Sequence, residues 1–257
     1  MLKPVDVFNS WALNGKDEGM QKNHSIAVDS MIQMLIENSN KKFSFIDAGC
    51  GNGWVIRKVN MYDSCYYSVG VDGSKNMIDK ARNIDPTGNY ICSDLLRWKP
   101  KEKVDYVHSM EVVYYFENPS KLLKHIYDYW LKIGGSIIIG VDFYKENIIT
   151  HSWPQRLNTL MTLLSKKEWY NCFSKSGFRN IELFQVNSLR VLPNLRGGLL
   201  LPRLVGCSYG SFLDQLLFQR NEELLRALSI RKSSSKQRLN PSPVSYTHLT
   251  LPTILLV

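Results

Sequence analysis

Asp47 and the three glycines behind it, Gly49, Gly51 and Gly53, have the types and spacing best suited to chemistry in this chain. They follow a short apolar run, residues 43–48, and precede a helix-like segment, residues 55–59. A strand that ends in a glycine turn and opens a helix is a nucleotide-binding geometry. Glycine lets the backbone bend tightly and lets a ligand approach without meeting a Cβ. The dinucleotide fingerprint G-x-G-x-x-G does not fit, because its third glycine falls on Trp54 when counted from Gly49. The pattern here is G-x-G-x-G. A second carboxylate, Asp72, ends the next apolar run, residues 66–71. Its place after the glycine turn matches the acidic residue that holds ribose hydroxyls in nucleotide-binding βαβ units. A carboxylate can accept from both hydroxyls at once. Asp72-Gly-Ser-Lys also opens a helix, so Asp72 and Ser74 compete for the role of cap.

The G-x-G-x-G turn, with Asp47 two residues before its first glycine, resembles the signature of the class I S-adenosylmethionine-dependent methyltransferases of small-molecule type. That cofactor carries an ammonium and a sulfonium, which suit a carboxylate at a strand end. The resemblance implies an α/β fold, a doubly wound, Rossmann-like and mostly parallel sheet. It implies that Asp94 accepts from the adenine amino group while Leu95 lies against the ring; Asp94 as a simple turn residue is the alternative. The segment from Met110 to Pro119 resembles the Met-Glu-Val-Leu-Glu-His-Val-x-Asp-Pro stretch of quinone-biosynthesis methyltransferases. It fits at Met110, Glu111 and Pro119, and departs where Tyr114-Tyr115 replaces Glu-His. Gly73, Met110 and Glu111 complete the cofactor-side set with Asp47, Gly49, Gly51, Gly53, Asp72, Asp94 and Leu95.

On the substrate side, Tyr114 and Tyr115 can orient an acceptor or wall the methyl group; core packing is the alternative. His151 can act as a general base near neutral pH, or be a polar surface residue. These three are the catalytic candidates. Tyr144 and Trp153 lie in the same region, where the family places substrate-specific insertions. Phe8, Trp11 and His24, in the leading segment, are pocket candidates. No metal is expected. The implied reaction is in-line displacement of methyl from sulfonium to a small-molecule acceptor. A cofactor-binding regulator of a partner, or a protein or RNA methyltransferase, is the alternative.

The elements that must position these residues follow from periodicity. Residues 5–24 mix aromatics with polar turns, and residues 25–37 read as a helix with a broad buried face. Strands are expected at 43–48, 66–71, 90–93, 104–109, 136–141 and 178–186, with helices at 55–59, 77–82, 121–131 and 165–176. Gly134 and Gly135 are read as the stop of the helix before the fifth strand. The resemblance implies a seventh, antiparallel strand after residue 186, but Pro202 interrupts the apolar run at 199–204, so the final strand reads as missing or disrupted.

The net charge of +9 is uneven: residues 1–189 hold 23 basic and 20 acidic side chains, residues 190–257 hold 9 and 3. Lysine dominates before residue 190, 18 against 5 arginines, and arginine after it, 7 against 2. The core charge of only +3 argues against a nucleic-acid partner. The division expected is a methyltransferase domain at 1–187 and an atypical basic tail at 188–257. In that tail, 212–230 reads as an amphipathic helix and 231–243 as disordered. Residues 244–253 resemble translated sequencing-adaptor DNA, which suggests a chimeric or frame-shifted end. Five cysteines without a C-x-x-C pair, no apolar run of about 18 residues and no secretory leader point to a cytoplasmic protein with reduced thiols. Oligomeric state is not readable from these features.

Overall fold

The computed structural model describes residues 1–36, 41–185 and 253–256. Its centre is strand β1 (Phe43–Ala48), buried along its whole length. Successive side chains of a strand point to opposite faces. Phe43 and Phe45 accordingly enter one apolar cluster, Ile46 and Ala48 the other. A strand covered on both faces is apolar on both, as Phe43, Phe45, Ile46 and Ala48 are here, and its two polar residues, Ser44 and Asp47, are buried and hydrogen-bonded to Asp105 and His108.

The first cluster is closed by α2 (Glu18–Ile36), α3 (Trp54–Val59) and α4 (Lys75–Ile84). In α2 the buried residues are Ala27, Val28, Met31, Ile32 and Leu35, a stripe at helical spacing. The second cluster is closed by α5 (Pro119–Tyr129), with Leu122, Leu123 and Ile126 inward, and by α7 (Lys166–Lys175), with Trp169 and Phe173 inward. A reciprocal capping box between Ser165 and Glu168 starts α7.

The remaining strands are β2 (Cys65–Asp72), β3 (Tyr90–Cys92), β4 (Val104–Met110), β5 (Leu131–Val141), β6 (Glu182–Gln185) and β7 (Thr253–Leu256). Their order in the sheet is β3-β2-β1-β4-β5-β7-β6. The first five are parallel, and β7 runs antiparallel between β5 and β6. Strand order therefore reverses direction between β1 and β4. In open α/β sheets ligands bind outside the carboxyl ends of strands at such a switch point.

Four expectations need correction. Residues 5–24 are mostly helical: α1 (Pro4–Leu13) and the first turns of α2 hold most of them, and the expected polar turn is present but confined to residues 14–17. The helix before β5 stops at Tyr129, not at the glycines. Trp130 turns inward, fully buried, and its indole N–H donates to the Trp98 carbonyl at 3.0 Å. Residues 132–135 instead bulge from the β4–β5 ladder, which pairs Val104 with Leu131 and next Tyr106 with Ser136. Strand β6 starts later than expected, because Phe178 packs against the Phe173 and Tyr127 rings. Finally, the place of the seventh strand is filled from far along the chain, by Thr253–Leu256. The expectations for 212–230 and 231–243 lie outside the described residues.

Candidate active site

The glycine turn after β1 takes its shape from its lack of side chains. Gly49, Gly51 and Gly53 all have left-handed φ, at 78°, 52° and 78°. A Cβ on Gly49 would sit 2.3 Å from a methyl of Val112, and one on Gly53 would sit 2.3 Å from the Tyr90 ring. Gly51 differs: its nearest neighbour in that direction is the Met77 sulfur at 4.0 Å. The space a side chain would fill there is open, and it faces a cavity.

That cavity measures about 430 Å³, within the range of small-molecule sites. Its floor is the strand ends and their turns: Gly49, Gly51, Asp72, Gly73, Asp94, Leu95, Met110 and Glu111. Its roof is α1, through Lys3, Pro4, Val5 and Phe8. Asn9 fastens that helix to the start of α4: its Oδ1 accepts from the Ser74 hydroxyl at 2.7 Å and from the Asn76 N–H at 3.1 Å. A smaller chamber of about 40 Å³ adjoins the cavity and shares Gly49, Gly51, Met20, Met77 and Met110 with it. Asp17, His24, Asp47, Asn52 and His108 line the chamber.

Each carboxylate is held differently. Asp72 accepts the Gly51 N–H at 2.9 Å and the Ser74 N–H at 2.7 Å. Burial raises its pKa, partly offset by those two N–H groups. The Ser74 hydroxyl caps α4, accepting from Met77, so the contest over the cap falls to Ser74 and leaves Asp72 at the cavity. Asp94 is half-exposed on the rim and accepts the Leu96 N–H at 2.9 Å. Asp47 does not stand free: its Oδ1 lies 2.7 Å from His108 Nδ1, with both side chains buried. Glu111 has a left-handed φ of 58°, unusual for a residue with a Cβ. Its two oxygens accept the Asp142 N–H and the Tyr114 hydroxyl, each at 2.6 Å.

Among the sequence-derived cofactor residues, Gly53 alone lines neither space; it shapes the turn against Tyr90. The substrate-side set divides. Tyr115 lines the cavity and packs edge-on against Phe8, ring centroids 5.3 Å apart. Tyr114 is buried behind it and lines neither space. His151 lies away from both, with Nε2 3.1 Å from the Lys145 carbonyl oxygen. Tyr144 is a core residue of the second cluster, Trp153 packs half-buried against that cluster, and Trp11 packs on Phe8 outside the cavity. His24 does reach the chamber. Burial holds its pKa down at about 4, so it is neutral there at pH 7.

Sequence reasoning missed His108, Asp17 and Asn52. Asn52 donates to Asp17 at 2.8 Å and Lys80 pairs with Asp17 at 2.9 Å, which ties the glycine turn to α2 and α4. Asn52 occupies a variable position of the G-x-G-x-G pattern, between Gly51 and Gly53, whereas Asp17 and His108 carry no motif and reach the turn only in space.

The donor set fits S-adenosylmethionine. Among the described residues, His24 Nδ1 and His108 Nε2 are buried without hydrogen-bond partners, and both side chains line the polar chamber. That suits the zwitterionic end of an amino acid. Asp72 offers acceptors for ribose, Leu95 offers an apolar wall, and Gly51 leaves room between them.

The parallel sheet with its glycine turn and switch-point cavity defines a class I, Rossmann-like cofactor-binding protein. More particularly, residues 20–183 match the methyltransferase-domain family, and the chain belongs to it. It is a family that uses S-adenosylmethionine. The chain is 29% identical over 120 residues to malonyl-[acyl-carrier protein] O-methyltransferase 2 of Ilyobacter polytropus, covering 44% of this chain and 46% of that protein. It is 24% identical over 198 residues to malonyl-[acyl-carrier protein] O-methyltransferase of Brevibacillus brevis, covering 70% and 71%. A structure of a Haloferax volcanii methyltransferase complexed with the Trm112 methyltransferase activator is similar at 27% identity and a TM-score of 0.64, covering 72% of this chain and 81% of that one. No helix among the described residues is long and apolar enough to cross a membrane. No cluster of metal-ligating side chains occurs among them either.

Proposed function

We propose that the protein transfers a methyl group from S-adenosylmethionine to a small-molecule acceptor by in-line displacement. The observation that carries this reading is the single cavity in which Asp72, Asp94 and Leu95 face an aromatic wall of Phe8, Tyr115 and Phe116. One end suits an adenosine, and the other suits an acceptor shielded from water. When bound, the cofactor supplies an electrophilic methyl on a good leaving group. The chain's own part is alignment, which in such a displacement matters more than acid or base strength. In this reading Asp72 holds the ribose, Asp94 and Leu95 the adenine, and Asp47 acts on the ammonium through His108. The names of the relatives, O-methyltransferases of malonyl-[acyl-carrier protein], support an oxygen of a small group as acceptor.

Calorimetry on the full chain tests it. S-adenosylmethionine binds, and Asp72→Ala weakens binding at least tenfold, about 1.4 kcal/mol. A folded protein that binds no cofactor rules the reading out. The Haloferax complex supports a second reading, that an activator protein docks on this chain. Methyl transfer by the purified chain alone, at a rate no activator raises, would sink it. The division after residue 187 stands as a proposal too, and a genomic reread across codon 187 decides whether the tail is native.

A further inference from the structure

The polar chamber beside the glycine turn is lined by two buried side-chain nitrogens without a hydrogen-bond partner among the described residues, His24 Nδ1 and His108 Nε2. Such an atom costs free energy until something satisfies it. At about 40 Å³ the chamber holds a few waters or one charged headgroup, not an adenosine or an acceptor ring. It shares Gly49, Gly51, Met20, Met77 and Met110 with the large cavity. A ligand with its adenosine in the cavity therefore reaches the chamber with its amino-acid end. The two nitrogens differ in what they can do. Asp47 Oδ1 lies 2.7 Å from His108 Nδ1, and a carboxylate accepts. The His108 proton thus sits on Nδ1, and in the neutral ring Nε2 is an acceptor backed by a negative charge. That suits an ammonium. His24 Nδ1 has no such tie and can donate. Asn52 is already committed: its amide donates to Asp17, which also holds Lys80.

We propose that His24 holds the carboxylate of the cofactor's amino-acid end, while His108 holds the ammonium, and that His24 takes a proton from solvent as the cofactor binds. This rests on the methyl-transfer reading. Burial holds the His24 pKa down at about 4, so the ring meets the cofactor neutral. A carboxylate against Nδ1 favours the imidazolium and lifts that pKa. The titratable groups around the chamber are Asp17 ahead of α2, Asp47 on β1, Cys50 in the glycine turn and His108 on β4. Helix α4 adds Lys80 through Asp17, and α3 brings only Trp54 and Val55, which do not titrate. Binding strengthens as pH falls through the bound value and levels off near the free one. A lift back to the ordinary 6.5 corresponds to about 0.9 proton taken up at about pH 5.5. Affinity there is then roughly eightfold higher than at about pH 7.

Calorimetry on the full chain, in buffers of differing ionisation enthalpy, reads both quantities. The probes are S-adenosylmethionine and its decarboxylated analogue, which keeps the sulfonium and the ammonium. S-adenosylmethionine binds with proton uptake, and the analogue binds without it. His24→Gln keeps a donor and abolishes the uptake. His24→Leu weakens S-adenosylmethionine about tenfold and leaves the analogue's affinity unchanged. Circular dichroism checks that each variant is folded, and His24→Gln decides the matter if the leucine variant is not. Three results overturn the assignment and leave methyl transfer standing: cofactor binding without proton uptake, uptake that survives in His24→Gln, or equal losses for the two ligands in folded His24→Leu. A folded wild-type chain that binds neither ligand overturns methyl transfer, and the His24 assignment with it.

Discussion

The turns after β1 and β4 lie side by side at the switch point, and both need a residue with left-handed φ. The first uses glycines; the second uses Glu111, at 58°. Two of those glycines exclude side chains because Val112 and Tyr90 already fill the space, and Gly51 leaves its space to a ligand. The β4 turn accepts strain of about 1–3 kcal/mol and points a carboxylate inward. One turn is built for what may not be there, the other for what must be. Neighbouring turns of similar backbone can thus serve different ends, room in one and a buried, hydrogen-bonded carboxylate in the other.

Substitutions at the two turns separate those roles. The largest effect belongs to Gly49→Ala, which combines left-handed strain with a clash against Val112 and should cost roughly 2–5 kcal/mol in denaturant unfolding. Gly51→Ala meets no protein atom closer than 4.0 Å. It should cost only about 1–2 kcal/mol of strain while blocking cofactor binding. Equal stability loss in the two variants would erase the distinction.

Next comes His24, beside the glycine turn. Its pKa is about 4 in the fold against 6.5 as a model value. The unfolded chain therefore binds the extra proton between those values. Stability present above pH 6.5 is lost as pH falls toward 4, by up to about 2–3 kcal/mol. Thermal unfolding of His24→Gln across that window should show a flatter acid limb than wild type.

The smallest effect is expected at Glu111, with the opposite sign. Its folded pKa is raised above 4.5. Its contribution is full below pH 4.5 and declines as pH rises through the folded value. Glu111→Gln keeps the shape and can still pair with Asp142 N–H and Tyr114. Relative to wild type it should gain about 1–2 kcal/mol at pH 8 and nothing at pH 4. A loss at pH 8 would show that the buried charge stabilises the turn.

Much of the fold was legible because it rests on local rules. Residues 43–48 had to be a buried strand, and a left-handed turn with no room for side chains had to be glycine. The helix expected at 165–176 formed as α7, and the structure adds the capping box of Ser165 and Glu168 that starts it. Gly134 and Gly135 misled because glycine serves a bulge as readily as a helix end, and the burial of Trp130 settled which. His151 misled because a histidine's chemistry is legible in its type, whereas its distance from a cavity is not.

By itself, the sequence determined the switch-point turn, the carboxylates at strand ends and the family to which they belong. Each depends on residues within a few positions of one another, where backbone geometry leaves few choices. Tertiary structure alone decided that Asp47 pairs with His108, 61 positions away, and that Tyr115 faces the cavity while Tyr114 turns to Glu111. It also decided that the strand between β5 and β6 comes from Thr253–Leu256. Those outcomes depend on which distant surfaces meet, and packing in three dimensions sets that, not spacing along the chain.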